Sequence, residues 1–158
     1  MCQATPLLHV VLYQPEIPQN TGNVARTCAA TQTPLHLVEP LGFSLGDRYL
    51  KRAGLDYWPA VPLHVHPDVE ALRKELPSHR WVCFSTKARR VYYEFDFQPG
   101  DCLLFGPETR GLPEDILAWE PDNVLKIPID KSRVRSLNLA TTVGVALFEA
   151  IRQLALRQ

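Results

Sequence analysis

The chain has 158 residues, 46% of them hydrophobic and 22% charged, with a formal net charge of zero at neutral pH. That is room for one domain with an ordinary core, so residues 1–158 are read as a single domain. The zero balance argues against a protein that coats nucleic acid nonspecifically, which needs many cationic contacts to phosphates. No apolar run reaches the ~18 residues of a membrane helix, and Met1–Pro6 lacks a signal-peptide layout. A cytoplasmic protein is expected. Cys2, Cys28, Cys83 and Cys102 form no C-x-x-C pair, which reads as reduced thiols rather than a zinc site.

Strand-like and helix-like segments alternate. Leu7–Tyr13 is a short apolar run ended by Pro15 and Pro18, the pattern of a buried strand. Asn23–Ala30 is helix-like, with Val24 and Cys28 four apart on one face. Leu35–Glu39 reads as a second strand and Asp47–Ala53 as a short helix ending at Gly54. Val61–Val65 reads as a strand. Asp68 can cap a helix that runs to Leu76 and stops at Pro77. Trp81–Ser85, Asp101–Phe105 and Val124–Ile129 read as strands, and Pro113 opens a short helix. Leu137–Leu156 is the longest helix, with an apolar stripe of Leu139, Val143, Ala146, Leu147, Ala150, Ile151 and Leu154. The alternation predicts an α/β domain: a mostly parallel sheet with helices on both faces. Ligands of such sheets bind beyond the carboxyl ends of the strands, so the loops after strands carry the interest.

Three of those loops have unusual content. In Asn20-Thr21-Gly22-Asn23-Val24-Ala25-Arg26, Asn20 or Thr21 can cap a helix, Gly22 can turn tightly, and the helix start can seat a phosphate that Arg26 grips. A plain capped helix with a surface arginine fits equally well. In Phe105-Gly106-Pro107-Glu108-Thr109-Arg110-Gly111-Leu112, glycines and a proline fix a sharp turn, and Gly106 would let a flat ligand approach the backbone. In the third, Pro128 breaks the strand between Ile127 and Ile129, leaving backbone groups free to read a purine edge. Ser136 and Asn138 then flank Leu137 at the start of the long helix, where serine is a favoured cap.

The common nucleotide and hydrolase signatures are missing: G-x-G-x-x-G after the first strand, G-x-x-x-x-G-K-[ST], and G-x-S-x-G. His9, His36, His64, His66 and His79 show no ligand spacing tied to carboxylates. His64-Val65-His66 could project two rings to one side of a strand, but reads as a chance exposed pair. No metal is expected.

Taken in order, N-x-G-N-x-x-R at Asn20–Arg26, F-G-P-E-x-x-G-L at Phe105–Leu112, and I-P-I with S-L-N-L at Ile127–Leu139 resemble the three motifs of the SPOUT superfamily of RNA methyltransferases. Leu12–Asn20 and Arg52–Tyr57 are similar to the short tRNA wobble-nucleotide ribose 2′-O-methyltransferases, which lack an added RNA-binding domain. The resemblance implies a C-terminal trefoil knot, against the general rule that chains do not knot. It also implies a homodimer with sites at the subunit interface, a tRNA anticodon stem-loop as partner, and cytidine or uridine at position 34 of leucine tRNAs as target. The implied cofactor is S-adenosyl-L-methionine, leaving S-adenosyl-L-homocysteine as product.

By motif, Phe84, Gly106, Gly111, Ile127, Ile129, Ser136 and Leu137 would line the cofactor pocket. Arg26 would face the RNA, supported by Asn20, Glu108, Ser136 and Asn138. The third motif departs from the usual S-R-S-[ML]-N. It runs Ser132-Arg133-Val134-Arg135-Ser136-Leu137-Asn138, about one residue longer, which leaves Arg133 and Arg135 as alternatives for one place. The implied reaction is in-line methyl transfer to a ribose hydroxyl, helped by positioning and by stabilisation of developing charge. Arg26 would orient the hydroxyl, with a phosphate oxygen or a transiently neutral arginine accepting the proton. Three rivals stand beside this reading: the same fold acting on another RNA site, a non-catalytic RNA-binding protein, and an α/β oxidoreductase.

Overall fold

A computed structural model describes residues 6–46, 48, 52 and 58–157. Most of the expected Asp47–Ala53 helix and of the Arg52–Tyr57 stretch lies outside the described residues. In chain order the elements are β1 (Leu8–Tyr13), α1 (Pro18–Thr31), β2 (Leu35–Val38), β3 (Leu63–His66), α2 (Val69–Glu75), β4 (Trp81–Phe84), β5 (Arg90–Val91), β6 (Asp101–Phe105), α3 (Glu114–Leu117), β7 (Val124–Lys126) and α4 (Leu139–Ala155).

The strands form one sheet in the order β3-β2-β1-β6-β4-β7-β5, and every pairing among the described residues is parallel. The expected α/β class holds. In β1, Leu8, Val10 and Leu12 point to one face and His9, Val11 and Tyr13 to the other, as strand alternation requires. The first face packs with Val24, Ala25 and Cys28 of α1 and with Val143, Ala146, Leu147 and Ala150 of α4. The second packs with Leu72 and Leu76 around α2 and with Ile116 of α3. With both faces covered, the central strands are mainly apolar, with His9, His36 and Asp101 as buried polar exceptions. The α4 stripe is buried as expected, Ile151 being half-buried.

Boundaries moved where local chemistry dictates. α1 begins at Pro18, five residues before the expected start, because proline at the first helical position loses no needed N–H. β7 ends at Lys126, before Pro128, rather than at Ile129. β3 starts after Pro62. α4 starts at Leu139, with Asn138 as its cap. Asp68 caps α2 as expected, Oδ1 accepting from Ala71 N–H at 2.8 Å. The two-residue β5 was not foreseen.

Cys28, Cys83 and Cys102 are buried free thiols. Burial pushes the Cys28 and Cys83 thiols up to about 12 and Cys102 higher still, so they pack as small apolar groups. Asp101 is a buried carboxylate at the start of β6. Arg80 donates to it from Nε at 2.7 Å and Nη2 at 2.6 Å, and Gln98 N–H at 2.8 Å.

The histidines depart furthest from expectation. His64 is exposed, but His66 is 4% exposed. Both sit on the α2-covered face, where His9 and His36 join them across β1 and β2. Strand alternation put every one of these rings on the same side, which spacing along the chain does not reveal.

Candidate active site at the carboxyl ends of the strands

Loops 14–17, 106–113, 85–89 and 127–138 follow the neighbouring strands β1, β6, β4 and β7. The order reverses between β1 and β6, the switch point where open α/β sheets place ligands. The three motif loops therefore meet at one end of the sheet.

The first two are tied by exchanged carboxylates. Glu108 Oε2 accepts from Glu16 N–H at 2.7 Å and from Ile17 N–H at 3.2 Å. Glu16 Oε1 in turn accepts from Thr109 N–H at 2.9 Å and from Thr109 Oγ1 at 2.7 Å. The Thr109 bonds, backbone first, hold the Glu16 carboxyl below its ordinary range. Arg110 Nη2 donates to Gln14 Oε1 at 3.2 Å. Glu108 thus caps α1 from a distant loop, and a negative charge at a helix start is favourable.

This corrects the expected roles at the start of α1. Asn20, Thr21 and Gly22 lie buried inside the helix, and Ile17 occupies the cap position with no side-chain cap bond. A carboxylate already takes the N–H groups of Glu16 and Ile17, so the helix start is not an open phosphate seat. Arg26 lies more than two turns into α1, exposed, rather than about one turn in.

Asn20 has a different task. Asn138 Nδ2 donates to its Oδ1 at 2.9 Å, joining the first motif to the third across the α1–α4 contact. Asn138 Oδ1 meanwhile accepts from Ala140 N–H at 2.9 Å and Thr141 N–H at 3.3 Å. One amide caps α4 with its oxygen and holds α1 with its nitrogen. Ser136, the other expected cap, is exposed two residues upstream.

Gly106 is required by the packing of its own loop. A Cβ there would lie 2.3 Å from Gly111 C and Leu112 N, so its own loop fills the space. Gly111 holds φ at +70°, a left-handed conformation suited to glycine, and its N–H bonds Pro107 O at 2.9 Å.

Ile127, Pro128 and Ile129 line a cleft of about 110 Å³ with Thr86, Lys126 and Lys131. Lys131 Nζ donates to Thr86 O at 2.7 Å, fastening the loop after β7 to the loop after β4. Asp130 turns the next stretch: its Oδ1 accepts from Ser132 N–H at 3.0 Å, and Arg133 Nε lies 3.3 Å from its Oδ2. Arg133 is tied into this turn, while Arg135 is exposed outside it. Phe84 is buried at the end of β4, its ring stacked on Phe105 at 4.9 Å. Of the expected cofactor residues, the cleft is lined by Ile127 and Ile129; Phe84, Gly106, Gly111, Ser136 and Leu137 do not line it. A larger concavity of about 360 Å³ lies beside the end of α4 among Glu94, Asp96, Arg152 and Arg157, away from all three motifs.

Gln14 and Glu16 lie in the Leu12–Asn20 stretch and Thr109 in the second motif loop, but the tethering roles of these residues and of Thr86 and Lys131 are not legible in the sequence. Their signal is conformational, since each acts by reaching another loop.

The SpoU rRNA Methylase family matches residues 7–148. The chain belongs to this family. The tRNA (cytidine(34)-2′-O)-methyltransferase of Methylovorus glucosotrophus is 49% identical over 148 residues, 93% of this chain and 96% of its own length. A solved structure concerned with 2-OH methylation of C/U34 on tRNA matches with a TM-score of 0.90 at 56% identity, covering 96% of this chain and 99% of that one. An AdoMet-bound rRNA methyltransferase from Sinorhizobium meliloti matches with a TM-score of 0.82 at 27% identity, covering 96% of this chain and 62% of that one. This SpoU family member carries the three motifs on one sheet end, and no described helix is long and apolar enough to cross a membrane.

Proposed function

We propose that this protein is a tRNA methyltransferase that uses S-adenosyl-L-methionine to methylate the ribose 2′-hydroxyl of the wobble nucleotide, cytidine or uridine at position 34, in leucine tRNAs. The observation that carries the reading is the joining of the three motif loops: Asn20 to Asn138, and Glu16 and Glu108 to each other's loops. Such cross-ties hold separate loops in one arrangement, which a positioning mechanism requires. The near-full-length likeness to relatives named for this reaction supports it.

The cleft fits the expected cofactor in kind, because half-buried Ile127 and Ile129 offer apolar walls for a flat group and Thr86 a polar edge. Ile127, Ile129 and Thr86 would hold it, with Gly106, Gly111, Ser136, Leu137 and the Phe84 ring backing the neighbouring loops. The bound cofactor supplies an electrophilic methyl group. Arg26 orients the substrate phosphate and hydroxyl and stabilises charge developing on oxygen. Asn20, Glu108 and Asn138 are positioning residues for the helix that carries it, and Ser136 lies exposed beside them for the substrate.

The anticodon stem-loop is the RNA partner, and the active unit is a homodimer in the cytoplasm. In support of the dimer, α4 leaves the large apolar side chain of Phe148 54% exposed. One domain, with the C-terminal segment knotted, completes the proposal.

The test is to incubate the purified protein with bulk tRNA and labelled methyl donor and to map the label by mass spectrometry. Label on the ribose of nucleotide 34 is expected, and label on a base would sink the reading. Arg26→Ala should abolish transfer while calorimetry still shows cofactor binding; loss of both together would overturn the role given to Arg26.

A further inference from the structure

All five histidines of the chain gather on the α2-covered face of the sheet, away from the loop site. His9 Nδ1 lies 3.0 Å from His36 Nε2, and His36 Nδ1 lies 3.0 Å from His66 Nε2. His66 Nδ1 is 3.4 Å from Glu75 Oε2 on α2. The His79 ring meets His9 edge-on with centroids 4.8 Å apart, and its Nδ1 is buried with no hydrogen-bond partner among the described residues. His64 stacks on His36 from the exposed side. None of the five lies in a motif loop.

We propose that His36, His66 and Glu75 form a binding site for a divalent transition-metal ion of the zinc class. One ligand atom from each lies within 4.8 Å of the others. Two imidazoles and a carboxylate are a donor set that zinc accepts, with a fourth position open. Metal–nitrogen bonds of about 2.0–2.1 Å in a tetrahedron set two nitrogens roughly 3.3 Å apart. The His36–His66 pair at 3.0 Å therefore has to open by a few tenths of an ångström, and both rings have to tilt so that their nitrogens, now directed at each other, converge on the ion. The Glu75 side chain is 56% exposed, so it can swing from beside His66 onto the ion and marks the route in.

The surroundings suit ligation. Burial, then the neighbouring imidazoles, drives His36 down to about 3 and His9 to about 4, and burial lowers His66. The rings are neutral at physiological pH, the form that binds metal. Proton accounting also closes. With the ion on His36 Nδ1 and His66 Nε2, His36 carries its proton on Nε2 and donates it to His9 Nδ1. Each ring keeps one proton, and His9 becomes the outer partner that fixes the tautomer of a ligand. The ion would fasten β2 to β3, the edge strand, and both to α2.

The experiment uses full-length, tag-free protein stripped with chelator and titrated with Zn²⁺ by calorimetry, with Co²⁺ absorption bands reporting coordination. Saturable uptake of one ion per chain is expected, with tetrahedral Co²⁺ bands and a raised Tm. Glu75→Ala, at an exposed position on a helix end, should bind about ten-fold or more weakly while keeping the wild-type circular dichroism. His36→Asn with His66→Asn should abolish uptake. No saturable uptake by the wild-type chain would overturn the site, leaving the cluster a hydrogen-bonded ladder only. Uptake undiminished in Glu75→Ala would also overturn it, placing the ion on surface groups such as His64, and this holds even where the double histidine variant fails to fold.

Discussion

Asn138 makes the sharpest prediction because one amide does two jobs at once. Asn138→Ala removes the α4 cap, in which Oδ1 accepts from Ala140 and Thr141 N–H; losing such a cap costs about 1 kcal/mol. It also strands Asn20 Oδ1, whose residue is only 7% exposed, and a buried acceptor left unmade costs about 1–3 kcal/mol. The sum is about 2–4 kcal/mol, or a Tm lower by about 5–15 °C for a chain of this size. Asn138→Asp separates the jobs. It keeps the cap oxygen, even gaining from a charge at the helix start, but replaces the donor with an oxygen facing Asn20 Oδ1. A loss of about 1–3 kcal/mol is expected despite the better cap. Asn20→Ala leaves the cap intact, and the Asn138 nitrogen it frees lies near solvent, so it should be the mildest of the three. All are measured by urea unfolding at one fixed protein concentration, since any association shifts apparent stability. Combining Asn20→Ala with Asn138→Ala should cost less than the sum of the singles. Additivity within about 0.3 kcal/mol, or an Asn138→Asp variant as stable as the parent, would refute the double role.

Two further outcomes follow from the packing. Gly106→Ala should cost at least about 1–3 kcal/mol by overpacking, because its Cβ would meet the backbone of Gly111 and Leu112 at 2.3 Å; Gly111→Ala, with open space around its Cβ, should cost only the left-handed penalty of about 1–2 kcal/mol, and thermal unfolding ranks the two. Cys28, Cys83 and Cys102 should resist a thiol-specific reagent at pH 8 in the folded protein and react after denaturation, since burial holds Cys28 and Cys83 at about 12 and Cys102 above that; peptide mapping of the alkylated protein reads this out.

Class, six of the seven strands and the long helix were legible because burial leaves periodic traces. The α4 stripe repeats at helical spacing, and β1 and β6 are runs that only a doubly covered strand tolerates. What escaped was whatever depends on partners far along the chain. Asn20 and Thr21 are good caps by composition, yet Pro18 started the helix ahead of them and Glu108, 92 residues from Glu16, supplied the cap. The value of Gly106 was legible as a tight turn but its reason was not, since the atoms it avoids belong to Gly111 and Leu112. The histidines make the same point. His9, His36 and His66 are spaced 27 and 30 residues apart, and only the β3-β2-β1 order makes them neighbours.

The tethering residues also explain why a site on loops can be held still. A loop loses entropy when it is ordered, and here the loops after β1 and β6 share that cost through paired bonds: Glu108 onto backbone of residues 16 and 17, Glu16 back onto Thr109, Arg110 onto Gln14. The loop after β7 is fastened separately, by Lys131 to Thr86 and by Asn138 to Asn20. Each tie crosses between elements that the sheet has already set side by side, so each closes a short spatial gap between segments far apart in the chain. Helix α1 is gripped at its start by Glu108 and within its first turn by Asn138 through Asn20, so Arg26, proposed above to orient the substrate, stands on a helix rather than on a loop. In that proposed role a guanidinium gains from such a support, because a displacement of about 1 Å can cost about a hundred-fold in rate.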